Sequence, residues 1–278
     1  MLDTHHHLWT YGADEYPWIP AGTPLAQDQL LPELEEATSA AGVTGTVAVQ
    51  ARQIVEESTA LLEIADQSDL IRGVVGWVPL ISGTVEQDLE QFSAHPKFVG
   101  VRHVLQDEED EYFLRDELHR GLSKLPAHDL RYDLLLFQRQ IPVAIQLVDR
   151  QPELGMIIDH IAKPEARSGR VEQGWRKGMK ELAKRENVLG VKFSGLATEF
   201  PNDDDIAPDT IRAYFEETLE IFGPDRVMFG TDWPVCLLRL ESYRQWSDAV
   251  IDLTSSLSSD EKDIILLKNG ETAYQLKS

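Results

Sequence analysis

The chain has 278 residues, of which 42% are hydrophobic and 27% charged. This length and composition are typical of one large globular domain and exclude a disordered or collagen-like chain. The 48 acidic and 26 basic residues give a formal net charge of −22 at pH 7, and because such a surface repels nucleic acid and anionic lipid, we expect neither as a partner.

Eight apolar runs of strand length alternate with amphipathic stretches along the chain. The runs are rich in β-branched residues, as is typical of parallel strands buried on both faces. The predicted strands span residues 1–4, 44–49, 73–79, 99–105, 132–137, 155–159, 189–194 and 226–230. The predicted helices span residues 30–41, 55–67, 85–94, 175–185, 210–222, 243–257 and 259–274.

This alternation predicts an α/β protein with the TIM (β/α)8 barrel fold, regular or distorted, as a single domain over residues 1–278. An open doubly wound sheet is the structural alternative. Such a sheet is expected to carry a glycine-rich phosphate turn after its first strand, and the sequence there is HHHLW. The pattern therefore favours the barrel.

The end of the first predicted strand is rich in histidine, with the order Asp3-Thr4-His5-His6-His7. Since alternate side chains of a strand share a face, we expect Asp3, His5 and His7 to point one way and His6 the other. Two imidazoles at this spacing can hold one divalent cation or polarise one carbonyl. A tag remnant or a pair of surface histidines is the alternative interpretation.

Two further candidates follow the sixth and eighth predicted strands. His160 follows GMIID, and Asp232 stands in FGTDWPV. A carboxylate at such a position can take a proton from water or bind a metal. Because barrel closure makes the first and eighth strands neighbours, we expect Asp232 beside His5 and His7. The structural alternatives are a histidine that caps its strand, with Asp159 as the functional neighbour, and an aspartate that caps the next helix.

Polar and aromatic side chains near the same predicted rim are candidates for substrate binding. Arg102 and Lys192 suit carboxylate or hydroxyl groups, and Trp9 and Trp18 suit the face of a sugar. Each is equally suited to a structural hydrogen bond or to anchoring a loop. The predicted substrate-binding residues are Arg102, His103, Lys192, Trp77, Gln50 and Trp9. Two acidic stretches, residues 107–116 and 202–205, are predicted loops on this side.

Absent motifs narrow the chemistry. The sequence contains no P-loop, no GxGxxG, no GxSxG elbow and no HExxH. The one cysteine, Cys236, has no paired base in sequence, which argues against a thiol nucleophile. Neither a secretory signal nor an apolar run long enough to cross a membrane is visible, so we expect a cytoplasmic protein.

Taken in order, DTHHHLW, DHIAKP and FGTDWPV resemble the amidohydrolase superfamily, in its amidohydrolase-related branch of metal-dependent hydrolases with a TIM-barrel fold. The likeness covers nearly the whole chain. GVRHVLQDE, YDLLLFQRQIP, VKFSGL and FGTDWPVCLL resemble the sugar-lactonase subgroup, whose members open L-fucono- or L-rhamnono-lactones. The first set of motifs is specific for this branch of the superfamily. The second set indicates only a class of substrate.

The resemblance implies roles for four residues. His5 and His7 match the HxH pair of the first strand, His160 matches the later-strand histidine, and Asp232 matches the aspartate that activates water. These four are the predicted catalytic residues and the predicted metal ligands. No carboxylated lysine or glutamate bridge is evident, and some relatives in this branch work without metal. We therefore expect at most one divalent ion, zinc if any.

The predicted function is hydrolysis of a small-molecule sugar lactone. Asp232 would act as general base on the attacking water, and the three histidines, directly or through one metal ion, would stabilise the oxyanion. One alternative is a zinc-dependent decarboxylase of the same branch. Another is a barrel that binds sugar acids without turning them over.

Overall fold

The computed structural model describes residues 1–167, 170–201 and 205–277. Eight parallel strands follow one another around a single sheet in chain order. The barrel closes where its first and last strands meet, since His7 N–H donates to Trp233 O at 2.7 Å and Asp232 N–H donates to His5 O at 2.8 Å. The strands span Leu2–His6 (β1), Gly45–Val49 (β2), Ile71–Gly76 (β3), Phe98–His103 (β4), Arg131–Leu134 (β5), Met156–Ile158 (β6), Val188–Phe193 (β7) and Val227–Phe229 (β8). The predicted TIM barrel is confirmed.

Helices surround the sheet. Those between strands span Leu31–Ala41 (α1), Val55–Ala65 (α2), Val85–Ser93 (α3), Asp116–Leu122 (α4), Ile141–Asp149 (α5), Gln173–Leu182 (α6) and Pro208–Phe222 (α7). After β8 come Tyr243–Leu253 (α8), Ser259–Asp263 (α9), a π-helical turn at Ile264–Lys268 and Asn269–Ala273 (α10). None of the helices in the described ranges is long and apolar enough to cross a membrane.

The sequence patterns missed two of these helices. The α4 segment begins in the acidic stretch predicted as a loop. In α5, Pro142, Gln146 and Asp149 are exposed at helical spacing, a period that the prediction overlooked. Of the second acidic stretch, residues 202–204 lie outside the described residues.

Apolar side chains form two layers that hold the strands in place. One large cluster lies between the strands and the surrounding helices. A smaller cluster combines strand residues such as Val47, Val75 and Met228 with Ala273 and Tyr274 near the end of the chain. These residues form the apolar support beneath the polar groups described next.

Candidate active site

Five ionisable side chains meet where β1, β6 and β8 end. His5, His7, Asp159, His160 and Asp232 are at most 5% exposed. The Oδ1 atom of Asp232 lies 3.3 Å from His7 Nε2, 3.7 Å from His160 Nε2 and 3.9 Å from His5 Nε2. The structure thus brings together the four residues that the sequence singled out, and it places Asp232 beside the HxH pair as barrel closure predicts.

His160 and Asp232 lie in backbone turns with left-handed conformation, which orient their side chains. Residues 160–163 have φ between 41° and 58°, and Asp232 has φ 59°. Residues other than glycine adopt this conformation at a cost and are held there by their surroundings, most often at functional sites. Gly195 gives His160 room, since a Cβ at Gly195 would lie 2.6 Å from His160 Nδ1.

Asp3 does not join the cluster, so the predicted shared face of Asp3, His5 and His7 is wrong. The register between β1 and β2 shifts between Asp3 and His6, which breaks the alternation of side chains. The Asp3 carboxylate instead accepts hydrogen bonds from the hydroxyl groups of Thr231 (2.6 Å) and Tyr243 (2.9 Å). Asp3 thereby ties β1 to α8 and to the turn that carries Asp232, and burial raises its pKa to about 6.

A backbone carbonyl determines which nitrogen of His7 carries the proton. His7 Nδ1 lies 2.8 Å from Val49 O, an atom that only accepts, so Nδ1 donates and Nε2 holds a lone pair. That lone pair faces Asp232 Oδ1 at 3.3 Å and His5 Nε2 at 3.3 Å. Acceptor atoms this close need a proton or a cation between them.

The donor atoms of His5, His7 and Asp232 fit one divalent metal ion. All three lie within 4.8 Å of one another, and all three residues are buried. Zinc–nitrogen bonds of about 2.0–2.1 Å with tetrahedral angles separate two ligand atoms by about 3.3 Å. Both spacings at His7 Nε2 are 3.3 Å, and the third, from His5 Nε2 to Asp232 Oδ1, is wider at 3.9 Å. His160 belongs instead to a second group with His5 and Asp159.

A buried charge network lies directly behind His5. Lys192 Nζ lies 2.6 Å from Asp133 Oδ2 and 2.9 Å from Asp159 Oδ1. Asp159 also contacts Arg102 Nη1 (3.2 Å) and His5 Nδ1 (3.2 Å). Burial alone would raise the pKa of Asp159, but the charge of Lys192, the adjoining His5 ring and the charge of Arg102 outweigh burial and hold it well below its usual range. Lys192 Nζ also lies 3.1 Å from His5 Nδ1, and Arg102 Nη1 lies 3.2 Å from His5 Nε2. Together with Asp159, these two groups fix the orientation of the His5 ring.

Burial keeps the imidazoles of His5 and His160 neutral. It lowers the pKa of His5 well below its usual range and that of His160 to about 4. His160 Nδ1 lies 2.9 Å from Ser194 Oγ, and because a hydroxyl both donates and accepts, this contact supports either tautomer of His160.

A cavity of about 800 Å³ opens above the cluster. His7, His160, Asp232 and Arg102 line it, whereas His5 is enclosed beneath them. Of the six side chains predicted to bind substrate, the structure places Arg102 alone on this cavity. Trp18 lines the cavity as well.

Lys192 and Gln50, which were predicted to bind substrate, are buried and do not line the cavity. Lys192 is 0% exposed and its ammonium faces the two carboxylates of the charge network. Gln50 is also 0% exposed and donates to the backbone oxygen of Arg102. Side chains at these strand ends point into the barrel, where desolvation makes them pair with protein groups.

Trp77, His103 and Trp9 hold loops around the cavity. Trp77 Nε1 donates to His103 Nδ1 at 3.2 Å, and His103 Nε2 in turn lies 3.0 Å from Glu108. Trp9 Nε1 donates to Gln27 O at 3.0 Å. These contacts match the structural alternative for each residue.

Sequence reasoning missed Arg52, Lys163 and Glu199, all of which line the cavity. Lys163 stands within the DHIAKP motif, so its position close after His160 was a usable signal. Glu199 lies five positions after Ser194 and Arg52 lies three positions after β2, and neither carries a motif of its own.

The chain belongs to the amidohydrolase family, whose model matches residues 2–276, and the protein is therefore a hydrolase. Its relatives include the L-fucono-1,5-lactonase of Burkholderia multivorans, 37% identical over 247 residues (85% of this chain, 83% of that protein). The L-fucono-1,5-lactonase of Burkholderia ambifaria is 35% identical over 239 residues (85% and 81%). A solved amidohydrolase from B. multivorans with bound zinc matches with TM-score 0.94 and 34% identity over 99% of each chain.

Proposed function

We propose that the protein opens a sugar lactone to its free aldonic acid. The observation that carries the proposal is the meeting of one carboxylate, Asp232, with His7, His160 and Arg102 at the base of a cavity large enough for a monosaccharide. The names of the two lactonase relatives support this substrate class.

Asp232 is the proposed general base. Burial alone would raise its pKa, but His160 and His7 outweigh burial and lower it below its usual value. Asp232 is therefore ionised at neutral pH and can take a proton from the water that attacks the lactone carbonyl. When the ring C–O bond breaks, the protonated carboxyl returns that proton to the departing ring oxygen, which leaves as a hydroxyl group.

His160 and Arg102 are the proposed stabilisers of the oxyanion that forms on the carbonyl oxygen. With Ser194 donating to Nδ1, His160 presents Nε2–H to the cavity. Arg102 also lines the cavity, and the positive charge of its guanidinium favours the negative charge that develops on the carbonyl oxygen. A preorganised donor of this kind contributes about 10²–10³-fold to the rate of acyl transfer.

One divalent ion, proposed as zinc, fits His5, His7 and Asp232. When bound, such an ion polarises a carbonyl oxygen and lowers the pKa of bound water. His5 is enclosed and does not face the cavity, so its proposed role is that of a ligand oriented by Asp159.

L-Fucono-1,5-lactone is the proposed first substrate to test, after the names of the two relatives. It is a six-membered lactone with ring hydroxyls and one methyl group. Charged side chains on the cavity wall suit the hydroxyls, and the apolar side chains of Leu135, Val235 and Leu238 suit the methyl group and the ring face.

The test is a pH-indicator assay of acid release from L- and D-aldonolactones, run on chelated and on zinc-supplemented protein. We expect release above the spontaneous rate, with the paired samples reporting whether metal is required. No release from any lactone in either sample would contradict the proposal.

A further inference from the structure

A lysine and a glutamate on the cavity wall have no part in the mechanism above. Lys163 ends the left-handed turn that begins at His160, and Glu199 ends the 3-10 turn Leu196–Glu199 after β7. Both line the cavity together with Asp232. Their side chains are 17% and 14% exposed, so they are largely withdrawn from bulk water while facing the substrate space.

The two side chains form an ion pair that leaves hydrogen-bonding capacity unused. Lys163 Nζ lies 3.7 Å from Glu199 Oε1, whereas a charge-assisted N–H···O hydrogen bond is about 2.7–2.9 Å long. An ammonium offers three donors and a carboxylate about four acceptor positions. A purely structural pair in so enclosed a place would be expected to close to hydrogen-bond distance, because burial makes unmet polar groups costly.

The backbone and a ring hold Lys163 in place. Its N–H donates to His160 O at 2.8 Å, and its carbonyl accepts from Gln138 N–H at 3.4 Å. Its ammonium lies 5.5 Å from the centroid of the Phe137 ring, a cation–π contact. The ammonium is therefore already oriented before a ligand arrives, which reduces the entropy that binding must overcome.

Lys163 and Glu199 line the same cavity as the proposed base Asp232, so one small molecule can contact all three. The charge of Lys163 contributes to the lowered pKa of Asp232. Burial and the charge of Asp232 both raise the pKa of Glu199. A monosaccharide whose carbonyl carbon lies near Asp232 can therefore place ring substituents against this wall of the same cavity.

We propose that Lys163 and Glu199 bind adjacent hydroxyl groups of the sugar lactone and so select hydroxylated lactones over bare ones. The inference rests on the proposed function and names the part of the cavity that recognises the sugar. A hydroxyl group accepts from the ammonium and donates to the carboxylate, so a vicinal diol matches the pair in both directions. A bare lactone covers the ion pair without giving either group a hydrogen-bond partner, which a polar site penalises strongly.

The test compares L-fucono-1,5-lactone with δ-valerolactone, a six-membered lactone without hydroxyls. For Lys163→Met and for Glu199→Gln, kcat/KM on the sugar lactone is expected to fall about 10–100-fold, the contribution of a hydrogen bond to a charged group. On δ-valerolactone the loss is expected to stay within about threefold. The matched control is Lys180→Met, which removes an exposed lysine paired with Glu220 at 3.3 Å on the outer surface.

Equal losses on both lactones would overturn the inference, because they indicate an effect on the reacting centre or the fold. An unchanged rate on the sugar lactone would also overturn it. If the wild-type protein hydrolyses neither lactone, the proposed function fails, and calorimetric titration with L-fucose then tests the inference alone. A Kd raised at least tenfold in both variants supports it, and an unchanged Kd, or no binding to the wild type, overturns it.

Discussion

Two lysines at the same site differ in how closely carboxylates pair with their ammonium groups. Lys192, on β7, is 0% exposed and lies 2.6 and 2.9 Å from two carboxylates. Lys163, in the turn after β6, is partly exposed and lies 3.7 Å from one. The fully paired ammonium fixes its neighbours in place, whereas the loosely paired one is available to a ligand.

The contrast follows from the elements that carry the two residues. The ladder of a parallel sheet fixes the direction of Lys192 and encloses it in the barrel, where an unpaired charge is costly. Lys163 lies beyond the end of β6, in a left-handed turn, and its side chain lines the cavity. Strands thus build the floor of the site, and the turns that follow them build its wall.

The largest expected effect lies at Asp232, between floor and wall. Asp232→Asn removes the proposed base, and kcat for lactone hydrolysis should fall about 10²–10⁴-fold. The indicator assay measures this change, with the exposed Asp225→Asn as control. A variant that turns over lactone at the wild-type rate would remove Asp232 from the mechanism.

The buried charge network of Lys192, Asp133 and Asp159 should contribute strongly to the stability of the fold. Lys192→Met leaves Asp133 and Asp159 buried without their ammonium partner, and the free energy of unfolding should fall by about 3–5 kcal/mol. Lys180→Met, which breaks an exposed pair, should change it by less than about 1 kcal/mol. Urea denaturation measures the free energy of unfolding of both variants. Equal losses would contradict the proposed difference between the fully paired buried lysine and an exposed one.

A buried carboxylate with no lysine partner sharpens the same point. Glu57, in the first turn of α2, accepts N–H groups of Ala51 and Arg52, and burial raises its pKa to about 7. Because this pKa lies above the ordinary value, the folded state retains a proton between about pH 4.5 and 7 that the unfolded chain releases. Stability should therefore fall as pH rises through this window.

Glu57→Gln should reduce the loss of unfolding free energy between pH 5 and 8 by about 2–3 kcal/mol. Glu56→Gln, at the exposed neighbouring position of the same helical turn, is the control. Urea denaturation at several pH values measures the difference. The same pH slope in wild type and Glu57→Gln would show that Glu57 does not titrate in this range.

The smallest expected effect concerns metal affinity. Asp159→Asn weakens the orientation of His5, and the affinity for zinc should fall about 10–100-fold. Calorimetric titration of metal-free protein measures this change and should give at most one ion per chain. Asp66→Asn, which alters an exposed pair with His95, serves as the control and should leave the affinity unchanged.

Local sequence patterns were sufficient to predict the strands of the barrel and the four candidate catalytic residues. Hydrophobic runs identified all eight strands to within a few residues, because burial on both faces of a parallel sheet leaves a continuous apolar pattern. The motifs around His5, His7, His160 and Asp232 identified four groups that the structure brings together. The α4 segment was missed because it begins in an acidic stretch, and α5 was missed although its exposed residues are spaced as in a helix.

Which groups face substrate could not be read from position in the chain. Lys192 and Gln50 looked like substrate-binding residues because they stand at strand ends, yet both point into the barrel and pair with protein groups. Asp3 left the expected face because a register shift in β1 interrupts the alternation. Side-chain direction at a strand end depends on bulges and neighbouring strands, which sequence spacing does not encode.

The sequence by itself determined the barrel, the family and the histidine and aspartate set, because each depends on a local pattern of residues. Only the tertiary structure decided that Lys192 is buried among the strands and that Lys163 meets Glu199 on the cavity wall. These partners are separated by 33 to 59 positions in the chain. They meet because barrel closure brings the carboxyl ends of distant strands to one rim, and their burial there decides which charges pair with each other and which remain for a ligand.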